Sequence, residues 1–522
     1  MRILRTAAEL NDWRREVSGH PLHFVPTMGA LHPGHLQLLH TARTVSSPAA
    51  PAPRLLLSIF VNPLQFGADE DFDRYPRDHD GDAALAASQG VDALFLPTAA
   101  VLFPHGEGDL TRVLPPAPLI GALCGLRRPG HFEGVATVVA RLLALIRPDR
   151  LFLGEKDWQQ LVILRRVAAD LGLPVQIHSC RTVRRADGQA WSSRLVYLRG
   201  DEPRQAAALP RALAEMVELH RRGEGRRAAL LEGLRLRLEG AGLAVDYVDL
   251  VGAHNLQPLE RVEGIALLAV AVRCGATRLI DHAFLMNRSP IVAIDGPAGA
   301  GKSTVTRALA RRLGLLYLDT GAMYRGVTWW VQRHGADPAD GAAVEPLLEG
   351  LDLRLEGADG GEQRVWVNGH DVSEAIRGAE VTAAVSLVAA HPCVREALTR
   401  QQRQMGHRGG LVAEGRDVGT AVFPDAECKV YLTASVAERA RRRALDLRQR
   451  GLPEPSLAEL EQQIAERDQR DASRAVAPLL RAEDAEELVT DGMDVDAVIE
   501  ALVTLFRRRV PEDAWPAGAP TG

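Results

Sequence analysis

Two histidines in the stretch PTMGALHPGH (26–35) have the type and spacing to contact a phosphate. His32 and His35 flank a Pro-Gly step, where an apolar run ends and a helical pattern begins. A helix N-terminus already offers free N–H groups and a positive dipole end, and two imidazoles there can stabilise charge that develops on a triphosphate. Metal binding is the weaker alternative, because no carboxylate or cysteine completes a local ligand set. A purely structural role also stays open for so short a motif.

The scarcity of lysine gives a second set of candidates. Among 62 lysines and arginines, only Lys156, Lys302 and Lys429 are lysines. A compact ammonium fits between phosphate oxygens where a planar guanidinium does not, so a retained lysine indicates a candidate phosphate contact. Lys429, in the apolar-flanked CKVYL, is interpreted instead as retained by chance.

A glycine-rich stretch in the second half satisfies the pattern G-x-x-x-x-G-K-[ST]. GPAGAGKS (296–303) follows the β-rich IVAID and precedes a helical run. In that context, backbone N–H groups cradle a β-phosphate, Lys302 reaches the β and γ oxygens, and the Ser303 hydroxyl coordinates Mg²⁺. The candidate ATP-binding residues of this loop are Gly296, Gly299, Ala300, Gly301, Lys302, Ser303 and Thr304.

The elements that position these residues follow an α/β pattern. β-rich runs alternate with amphipathic stretches, which predicts a parallel sheet. The runs are 22–26, 54–62, 92–97, 150–154 and 175–180, then 245–251 and 265–272 in a smaller α+β unit, and 290–296 at the start of a second α/β pattern. SSPAAPAP (46–53) is typical of a surface loop. The predicted divisions are 1–180, 181–283, 288–508 and a disordered tail, 509–522.

Bulk properties exclude several classes of protein. A chain of 522 residues is too long for one ordinary core, and 46% hydrophobic with 25% charged residues is typical of globular proteins. Carboxylates at Glu9, Asp12 and Glu16 argue against a signal peptide, and no apolar run is long enough to cross a bilayer, so we expect a cytoplasmic protein. Five scattered cysteines without C-x-x-C spacing predict neither disulfides nor zinc, and a net charge of -5 does not favour nucleic acid.

Polar residues also follow two of the predicted strands, at the edge where open α/β sheets bind ligands. Gln65 comes just after the second predicted strand, whereas Lys156 and Gln160 come after the fourth. RPGHFEGVATVV (128–139) adds an Arg/His cluster, and DGQAWSSRL (187–195) adds a Ser-Ser-Arg group suited to phosphate. In this order, the segments resemble the pantothenate synthetase family over about residues 1–283.

That resemblance implies a Rossmann-like nucleotidyltransferase fold that condenses pantoate with β-alanine through pantoyl adenylate, using ATP and Mg²⁺ and releasing AMP and pyrophosphate. His32, His35 and Lys156 match catalytic positions, Gln65 and Gln160 match positions that hold pantoate, and Gln65 would also neighbour β-alanine. The implied ATP-binding residues are Met28, Gly29, Ala30, Leu31, His32, Pro33, Gly34, His35, Gly154, Glu155, Lys156, Asp157, Val183, Trp191, Ser192, Ser193 and Arg194. The Mg²⁺ ligands of this half are not identified, and Leu195 stands where the family usually has Asn.

Four segments of the second half combine arginines with aspartates: 317–326, 394–398, 414–420 and 466–479. Guanidinium groups suit a monophosphate, and carboxylates accept hydrogen bonds from an amine or ribose hydroxyls. ERARRRALDLRQR (438–450) fits either a solvated helix face or a lid over the transferred phosphoryl group. These motifs resemble the bacterial cytidylate kinase family over about residues 288–508, a P-loop nucleoside monophosphate kinase fold.

The second resemblance implies transfer of the γ-phosphate of ATP to CMP or dCMP, with UMP as an alternative acceptor. The matching positions are Thr320, Tyr324, Arg395, Arg416, Asp417, Arg467, Asp471 and Arg474. Asp417 is the preferred contact to cytosine, and Arg467 with Asp471 would serve the sugar and phosphate end. Lys302 is the catalytic lysine of this half.

Together, the two halves resemble known pantothenate synthetase/cytidylate kinase fusions, with Mg²⁺ and ATP at both sites and small-molecule substrates. The resemblance allows a homodimer through the synthetase half and implies neither a nucleic-acid nor a membrane partner. The alternative class is a nucleotide-binding regulator or scaffold in which one half has lost catalysis. No intermediate is shared between the two reactions, so channelling between them has no chemical basis.

Overall fold

The computed structural model describes residues 1–45, 51–67, 70–357, 363–449, 451, 453–474 and 476–516. The chain divides into two compact units. Unit 1 contains Met1–Asn287 together with Pro511–Pro516, and unit 2 contains Arg288–Val510. Each unit has its own sheet and its own hydrophobic core, and the further division of the first unit at residue 180 stays a prediction.

Unit 1 alternates strands and helices along most of its length. Its strands are β1 (Arg2–Leu4), β2 (Leu22–Thr27), β3 (Arg54–Ile59), β4 (Ala93–Phe95), β5 (Arg150–Gly154), β6 (Gln176–Cys180), β7 (Ala244–Gly252), β8 (Ile265–Cys274) and β9 (Thr277–Met286). Its helices are α1 (Ala7–Glu16), α2 (Pro33–Thr44), α3 (His79–Ser88), α4 (Ala99–Leu102), α5 (Ala117–Ile120), α6 (Leu123–Arg127), α7 (His131–Ile146), α8 (Trp158–Asp170), α9 (Glu202–Ala206), α10 (Ala208–Arg221) and α11 (Arg227–Gly240).

The large sheet of unit 1 is parallel, with strand order β1-β4-β3-β2-β5-β6. The order reverses beside β2, so the turns after β2 and β5 meet at the edge where ligands bind in open α/β sheets. Leu55, Leu56 and Leu57 are consecutive in β3 and all fully buried, because helices cover both faces of a parallel sheet. The topology therefore brings the HPGH turn next to the segment that contains Lys156.

A separate antiparallel sheet, β7-β8-β9, completes unit 1. Helices α10 and α11 pack on it through a leucine-rich stripe, in which Leu230, Leu234 and Leu238 recur every fourth residue and are fully buried. This spacing puts the three side chains on one helix face, which seals the sheet from water. The small α+β element predicted from 245–251 and 265–272 is confirmed.

Unit 2 also alternates strands and helices. Its strands are β10 (Ile291–Asp295), β11 (Leu316–Asp319), β12 (Leu353–Gly357), β13 (Gln363–Val367), β14 (His370–Asp371), β15 (Leu411–Gly415), β16 (Cys428–Thr433) and β17 (Glu486–Val489). Its helices are α12 (Lys302–Leu313), α13 (Thr320–Arg333), α14 (Gly341–Val344), α15 (Ala379–Val388), α16 (Pro392–Met405), α17 (Val436–Gln449), α18 (Leu457–Ala472) and α19 (Val495–Arg509).

The main sheet of unit 2 is parallel, with order β11-β15-β10-β16-β17, and β10 lies at its centre. The small antiparallel sheet β12-β13-β14 packs against α13 in the same hydrophobic core. Across the part of the chain that the structure describes, no single helix is long and apolar enough to cross a membrane, and one bent pair, α15 with α16, meets that criterion jointly.

Several boundaries differ from the sequence predictions. The run predicted over 54–62 ends as a strand at Ile59, because a short 3₁₀ helix, Pro63–Gln65, follows the next turn. The loop predicted over 46–53 lies for residues 46–50 outside the described residues. Disorder was predicted from residue 509, which is wrong for Pro511–Pro516, because these residues pack in unit 1 with Trp515 buried.

Candidate active sites

The HPGH turn holds both imidazoles by the same kind of backbone contact. His32 is the N-cap of α2, and its Nδ1 accepts the N–H of Gly34 at 3.1 Å. The Nδ1 of His35 accepts the N–H of His32 at 3.3 Å, so the two rings lie with centroids 4.0 Å apart. A neutral imidazole whose Nδ1 accepts has its proton on Nε2. Each ring therefore keeps one N–H donor for a ligand.

The charge state of both rings follows from their surroundings. Burial, with the positive charge of Lys156, lowers the pKa of His32 to about 4. Burial and the adjoining His32 ring lower the pKa of His35 to about 3. Both imidazoles are therefore neutral near pH 7. The site offers neutral donors to an anion, in contrast to a charged His–phosphate pair.

A buried carboxylate that the sequence analysis did not identify shapes this turn. Asp82, in the first turn of α3, accepts the N–H of Ala30 at 2.8 Å and that of Leu31 at 2.7 Å. Gly29 has φ +86°, and a Cβ there would lie 2.9 Å from Asp82 Oδ2, so only glycine fits both the backbone and the space. An acidic residue in the first turn of a helix is so common that its sequence carries no signal of this contact.

A cavity of about 810 Å³ in unit 1 gathers most of the residues predicted for the synthetase. The predicted residues that line it are Met28, His32, Gly34, His35, Gln65, Gly154, Lys156, Asp157, Gln160, Val183, Trp191, Ser192, Ser193 and Arg194. The predicted residues that do not line it are Gly29, Ala30, Leu31, Pro33 and Glu155. The first four of these form the backbone of the turn, and Glu155 is fully buried.

The side-chain amide of Gln65 is oriented by its neighbours. Asn62 Nδ2 donates to Gln65 Oε1 at 3.1 Å, and Gln65 Nε2 lies 2.9 Å from the Sδ of Met28, a weak acceptor. The backbone carbonyl of Gln65 contacts His131 Nδ1 at 2.8 Å and also accepts from Arg128. The Arg/His cluster of 128–139 therefore positions the glutamine loop.

Lys156 and Asp157 lie side by side at the carboxyl end of β5, with Lys156 Nζ 3.6 Å from Asp157 Oδ1. Burial alone would raise the pKa of Asp157, but the charges of Lys156 and Arg194 hold it below its ordinary value. Arg194, predicted to contact phosphate, makes two hydrogen bonds of 2.9 Å to Asp71. One edge of its guanidinium group is thus occupied by protein.

The Ser-Ser-Arg segment lies against the HPGH turn. Ser193 Oγ donates to the carbonyl of Ala30 at 3.4 Å, and Ser192 caps a short 3₁₀ helix. The ring of Trp191 stacks on that of His32 with centroids 6.2 Å apart. Leu195, which the sequence analysis noted as a departure from the family, packs against the hydrophobic cluster under β7–β9.

The metal interpretation of the two histidines gains no support from the structure. Within the described ranges, no group of three or more His, Cys, Asp or Glu side chains could hold a metal ion. The five cysteines are all free, as predicted from their spacing.

In unit 2, the glycine-rich loop connects β10 to α12, as the sequence predicts. Gly296 has φ +151°, and a Cβ there would lie 2.0 Å from the carbonyl oxygen of Leu432. Lys302 Nζ donates to the carbonyls of Gly296 and Pro297 at 2.7 and 2.8 Å. Burial and the nearby Arg416 lower its pKa well below the ordinary value. The ammonium group thus folds over the loop that would hold the phosphates.

Glu414, at the carboxyl end of β15, is a buried carboxylate next to this loop. Its Oε1 accepts from Ser303 Oγ at 2.6 Å and from the Tyr317 hydroxyl at 2.8 Å. Its Oε2 is buried and has no hydrogen-bond partner among the described residues. Burial and the nearby Asp319 raise the pKa of Glu414. This unpaired oxygen beside Ser303 fits a hydrated divalent cation, and the sequence analysis did not single Glu414 out.

The residues predicted for the nucleotide acceptor form two ion-paired groups. Arg395 pairs with Asp417, and its guanidinium group lies 5.4 Å from the centre of the Tyr324 ring. Asp471 accepts from Arg416 at 3.1 Å and also pairs with Arg474. Because Asp417 is buried against Arg395, its predicted contact with cytosine stays a prediction.

The last two predicted residues differ in their surroundings. Thr320 donates to the backbone carbonyl of Glu414 at 2.6 Å, which fixes the start of α13 against β15. Arg467 makes no ion pair with a described residue, and burial together with the charge of Arg416 lowers its pKa. Its guanidinium group is thus available to an anionic ligand.

The arginine-rich helix α17 has two kinds of arginine. Arg439 donates to the carbonyl of Ala298 at 3.2 Å and Arg442 to that of Ala300 at 3.3 Å, so both contact the glycine-rich loop. Arg441 is exposed and pairs only locally with Glu438. The solvated face therefore describes part of the helix, and the lid over a phosphoryl group stays a prediction. Lys429 contacts a carbonyl and Asp484, which is a structural role.

Comparisons with known proteins agree with this division of the chain. The family model for pantoate-beta-alanine ligase matches residues 2–284, and that for cytidylate kinase matches residues 292–508. A pantothenate synthetase structure from Thermus thermophilus is 44% identical and covers 54% of this chain and 98% of its own, with a TM-score of 0.50.

Relatives of full length carry both activities in their names. A bifunctional pantoate ligase/cytidylate kinase from Prochlorococcus marinus (strain MIT 9313) is 60% identical over 97% of this chain and 99% of its own. One from Parasynechococcus marenigrum (strain WH8102) is 59% identical over 99% of this chain and 100% of its own. The chain therefore belongs to the bifunctional pantoate ligase/cytidylate kinase family, and its two units are an ATP-dependent pantoate–β-alanine ligase and a cytidylate kinase.

Proposed function

We propose that the cavity of unit 1 adenylates pantoate, with His32 and His35 as the donors that stabilise the reacting phosphate. The observation that carries this proposal is the pair of backbone contacts to Nδ1, which leaves Nε2–H of each neutral ring for the ligand. Fixed donors in a partly dry site favour charge that develops in the transition state. Lys156 adds a positive charge at the neighbouring strand end.

The two half-reactions balance without a further reactant. A carboxylate oxygen of pantoate attacks the α-phosphorus of ATP and forms the acyl–O–P bond, while the bond to the bridging oxygen breaks and its electron pair leaves with pyrophosphate. The neutral amine of β-alanine then attacks the acyl carbon, the C–O electron pair leaves with AMP, and the proton lost from the nitrogen passes to solvent. Gln65 would donate to pantoate through Nε2, because Asn62 already occupies its Oε1.

In unit 2, we propose that the glycine-rich loop holds ATP and that the arginines near Asp471 bind the acceptor CMP or dCMP. Lys302 would exchange its two carbonyl contacts for phosphate oxygens, which restores a charged ammonium group. Arg467 supports this assignment, because a guanidinium group that makes no ion pair with a described residue and has a lowered pKa suits a monophosphate. Phosphate binding there would offset the repulsion from Arg416.

The residues around Ser303 also fit Mg²⁺. When bound, the ion would neutralise charge on the β- and γ-phosphates. Ser303 would contribute its hydroxyl, and the unpaired Oε2 of Glu414 would accept from the water shell. In unit 1, Mg²⁺ is proposed only as the partner of ATP, with no ligands assigned.

Two further proposals concern the whole protein. A homodimer through the synthetase half is tested by light scattering of the full chain and of residues 1–287. The cytoplasm is proposed as the location because both reactions draw on ATP and small metabolites.

Product analysis tests the two site assignments in one protein. Continued turnover to AMP and pyrophosphate should require both pantoate and β-alanine, with pantoate alone giving at most one pyrophosphate per site, and ADP should form only with CMP or dCMP. UMP in place of CMP tests the alternative acceptor. A chain that binds ATP but forms neither set of products would contradict both assignments and support the scaffold alternative.

A further inference from the structure

The chain returns to unit 1 after the last helix of unit 2. Helix α19 ends at Arg509, and the six residues Pro511–Pro516 belong to unit 1. Pro511 accepts the N–H groups of Ala514 and Trp515, which closes a compact turn, and Trp515 is 8% exposed. We call Pro511–Pro516 the return segment.

The return segment binds both oxygens of a fully buried carboxylate. The N–H of Glu512 donates to Glu155 Oε1 at 2.8 Å, and the N–H of Asp513 donates to Glu155 Oε2 at 2.7 Å. Burial and the negative charge of Asp513 raise the pKa of Glu155 to about 7. Glu155 begins the short 3₁₀ helix Glu155–Asp157 and directly precedes Lys156, which lines the cavity.

A second contact reaches another wall of the same cavity. The carboxylate of Asp513 accepts the N–H of Thr182 at 3.2 and 3.3 Å and lies 3.9 Å from Arg181 Nε. Thr182, Arg181 and the adjacent Val183 line the cavity. The return segment therefore donates or accepts hydrogen bonds with two stretches of chain that contribute to the cavity wall, one containing Lys156 and one containing Val183.

We propose that the return segment positions the ATP-binding side of the ligase cavity through Glu155 and Thr182, so that pantothenate formation depends on residues beyond the end of the kinase sequence. The inference rests on the proposed ATP site of unit 1. The residues of the segment are positioning residues, because none of them lines the cavity. The family model for the kinase ends at residue 508, so the segment is outside what either family model matches.

Two truncations of the full chain test this inference. A chain that ends at Val510 lacks the segment, whereas one that ends at Pro516 keeps it and serves as the matched control. We expect the Val510 chain to show a KM for ATP in the ligase reaction raised about tenfold or more, as expected when charge-assisted hydrogen bonds are lost. The KM for β-alanine and CMP phosphorylation should stay within about twofold, and the Pro516 chain should match the full chain.

Point variants test the contacts themselves. Glu512→Pro removes the N–H that Glu155 accepts, and Glu512→Ala keeps it. Asp513→Ala removes the acceptor for Thr182, and Asp513→Asn keeps one acceptor oxygen. We expect Glu512→Pro and Asp513→Ala to raise the KM for ATP. The matched single variants Glu512→Ala and Asp513→Asn should have KM values close to that of the full chain.

The outcomes separate the inference from the site on which it rests. Two separate results together would leave the ATP site in place and overturn the inference: the KM for ATP is unchanged in the Val510 chain, and Lys156→Ala in the full chain inactivates the ligase. A Lys156→Ala variant with normal ligase kinetics would overturn the ATP site and the inference together. Equal changes in the KM values for ATP and β-alanine would indicate general loss of structure in unit 1 and would also overturn it.

Discussion

The two proposed ATP sites of this chain begin in the same way and differ in what would contact the phosphate. In each unit, a central parallel strand leads through a tight turn into a helix, β2 into α2 and β10 into α12. In unit 1, the helix begins with a histidine cap, and two neutral imidazoles supply the donors. In unit 2, the helix begins after glycines, and backbone N–H groups with Lys302 are the proposed phosphate contacts.

Similar strand–turn–helix units can therefore serve reactions at different phosphorus atoms of ATP. Backbone N–H groups of a glycine-rich loop wrap around a terminal phosphate chain, and they place the γ-phosphate at the edge of the loop. In the proposed ligase site, two side chains at the start of a helix would leave the α-phosphorus accessible to a carboxylate. The rigid Nδ1 contacts of the histidines take the role that the fixed backbone has in the loop.

The largest expected effect separates the two sites. Lys302→Ala should lower CMP phosphorylation by about 10²- to 10³-fold, because one preorganised positive donor is lost, and should leave pantothenate formation within about twofold. Lys156→Ala should do the reverse. Lys156→Arg should stay impaired, because a guanidinium group is too wide for a point-charge site. Loss of both activities through one substitution would contradict the independence of the sites.

The second prediction concerns the charge of Glu414 and the Mg²⁺ requirement of unit 2. Glu414→Gln should raise the Mg²⁺ concentration for half-maximal CMP phosphorylation by about tenfold, since a neutral amide attracts a hydrated cation less than a carboxylate. Tyr317→Phe removes a hydrogen bond to the same Glu414 oxygen and keeps the charge, so it is the matched control. Equal Mg²⁺ requirements in the two variants would show that Glu414 has no part in binding the ion.

A similar change in unit 1 concerns the shape of the HPGH turn. Asp82→Asn leaves one oxygen for two backbone N–H groups, so the turn should loosen and the adenylation rate should fall about tenfold. Asp80→Asn, at an exposed position in the same helix turn, is the control and should change little. Single-turnover formation of pyrophosphate measures both. A normal rate in Asp82→Asn would mean that the turn holds its shape without the carboxylate.

The smallest expected effect is that His32 and His35 do not titrate near neutral pH. Because the pKa values of His32 and His35 are lowered to about 4 and 3, both rings stay neutral as the pH falls from 8 to 5.5. Their imidazole NMR signals, assigned through His32→Gln and His35→Gln, should not shift over that range. A midpoint near 6.5, the ordinary value for histidine, would show that the rings bind phosphate as cations.

Much of the fold was predictable because its signal is local. The run predicted over 22–26 is strand Leu22–Thr27, and the strand predicted over 150–154 has the same bounds in the structure. Strand β1 was missed because three residues are too few to show the alternation of polar and apolar residues that indicates a strand. The sheet β12-β13-β14 was missed as well, since its strands are two to five residues long and packing against α13 supports them.

Site residues that stand in a short sequence motif could be predicted. Site residues that reach the site only through tertiary contacts could not. His32 and Lys302 stand in recognisable patterns, whereas Asp82 and Glu414 do not. Asp82 reaches the HPGH turn because β2, which leads into the turn, pairs with β3, which precedes α3 in the chain, and Glu414 reaches Ser303 because β15 pairs with β10. The pairing of Arg194 with Asp71 likewise joins segments that are far apart in the chain.

The half-reactions of His35→Ala test whether His35 stabilises the reacting phosphate during adenylation. We expect adenylation to fall about a hundredfold or more, because one fixed transition-state donor is lost, while ATP affinity falls much less. Preformed pantoyl adenylate with β-alanine should then give pantothenate at the rate of the unchanged enzyme, since that step no longer involves the triphosphate. An equally slow reaction from the preformed adenylate would contradict the account, because His35 would then act in amide formation or in the integrity of the cavity.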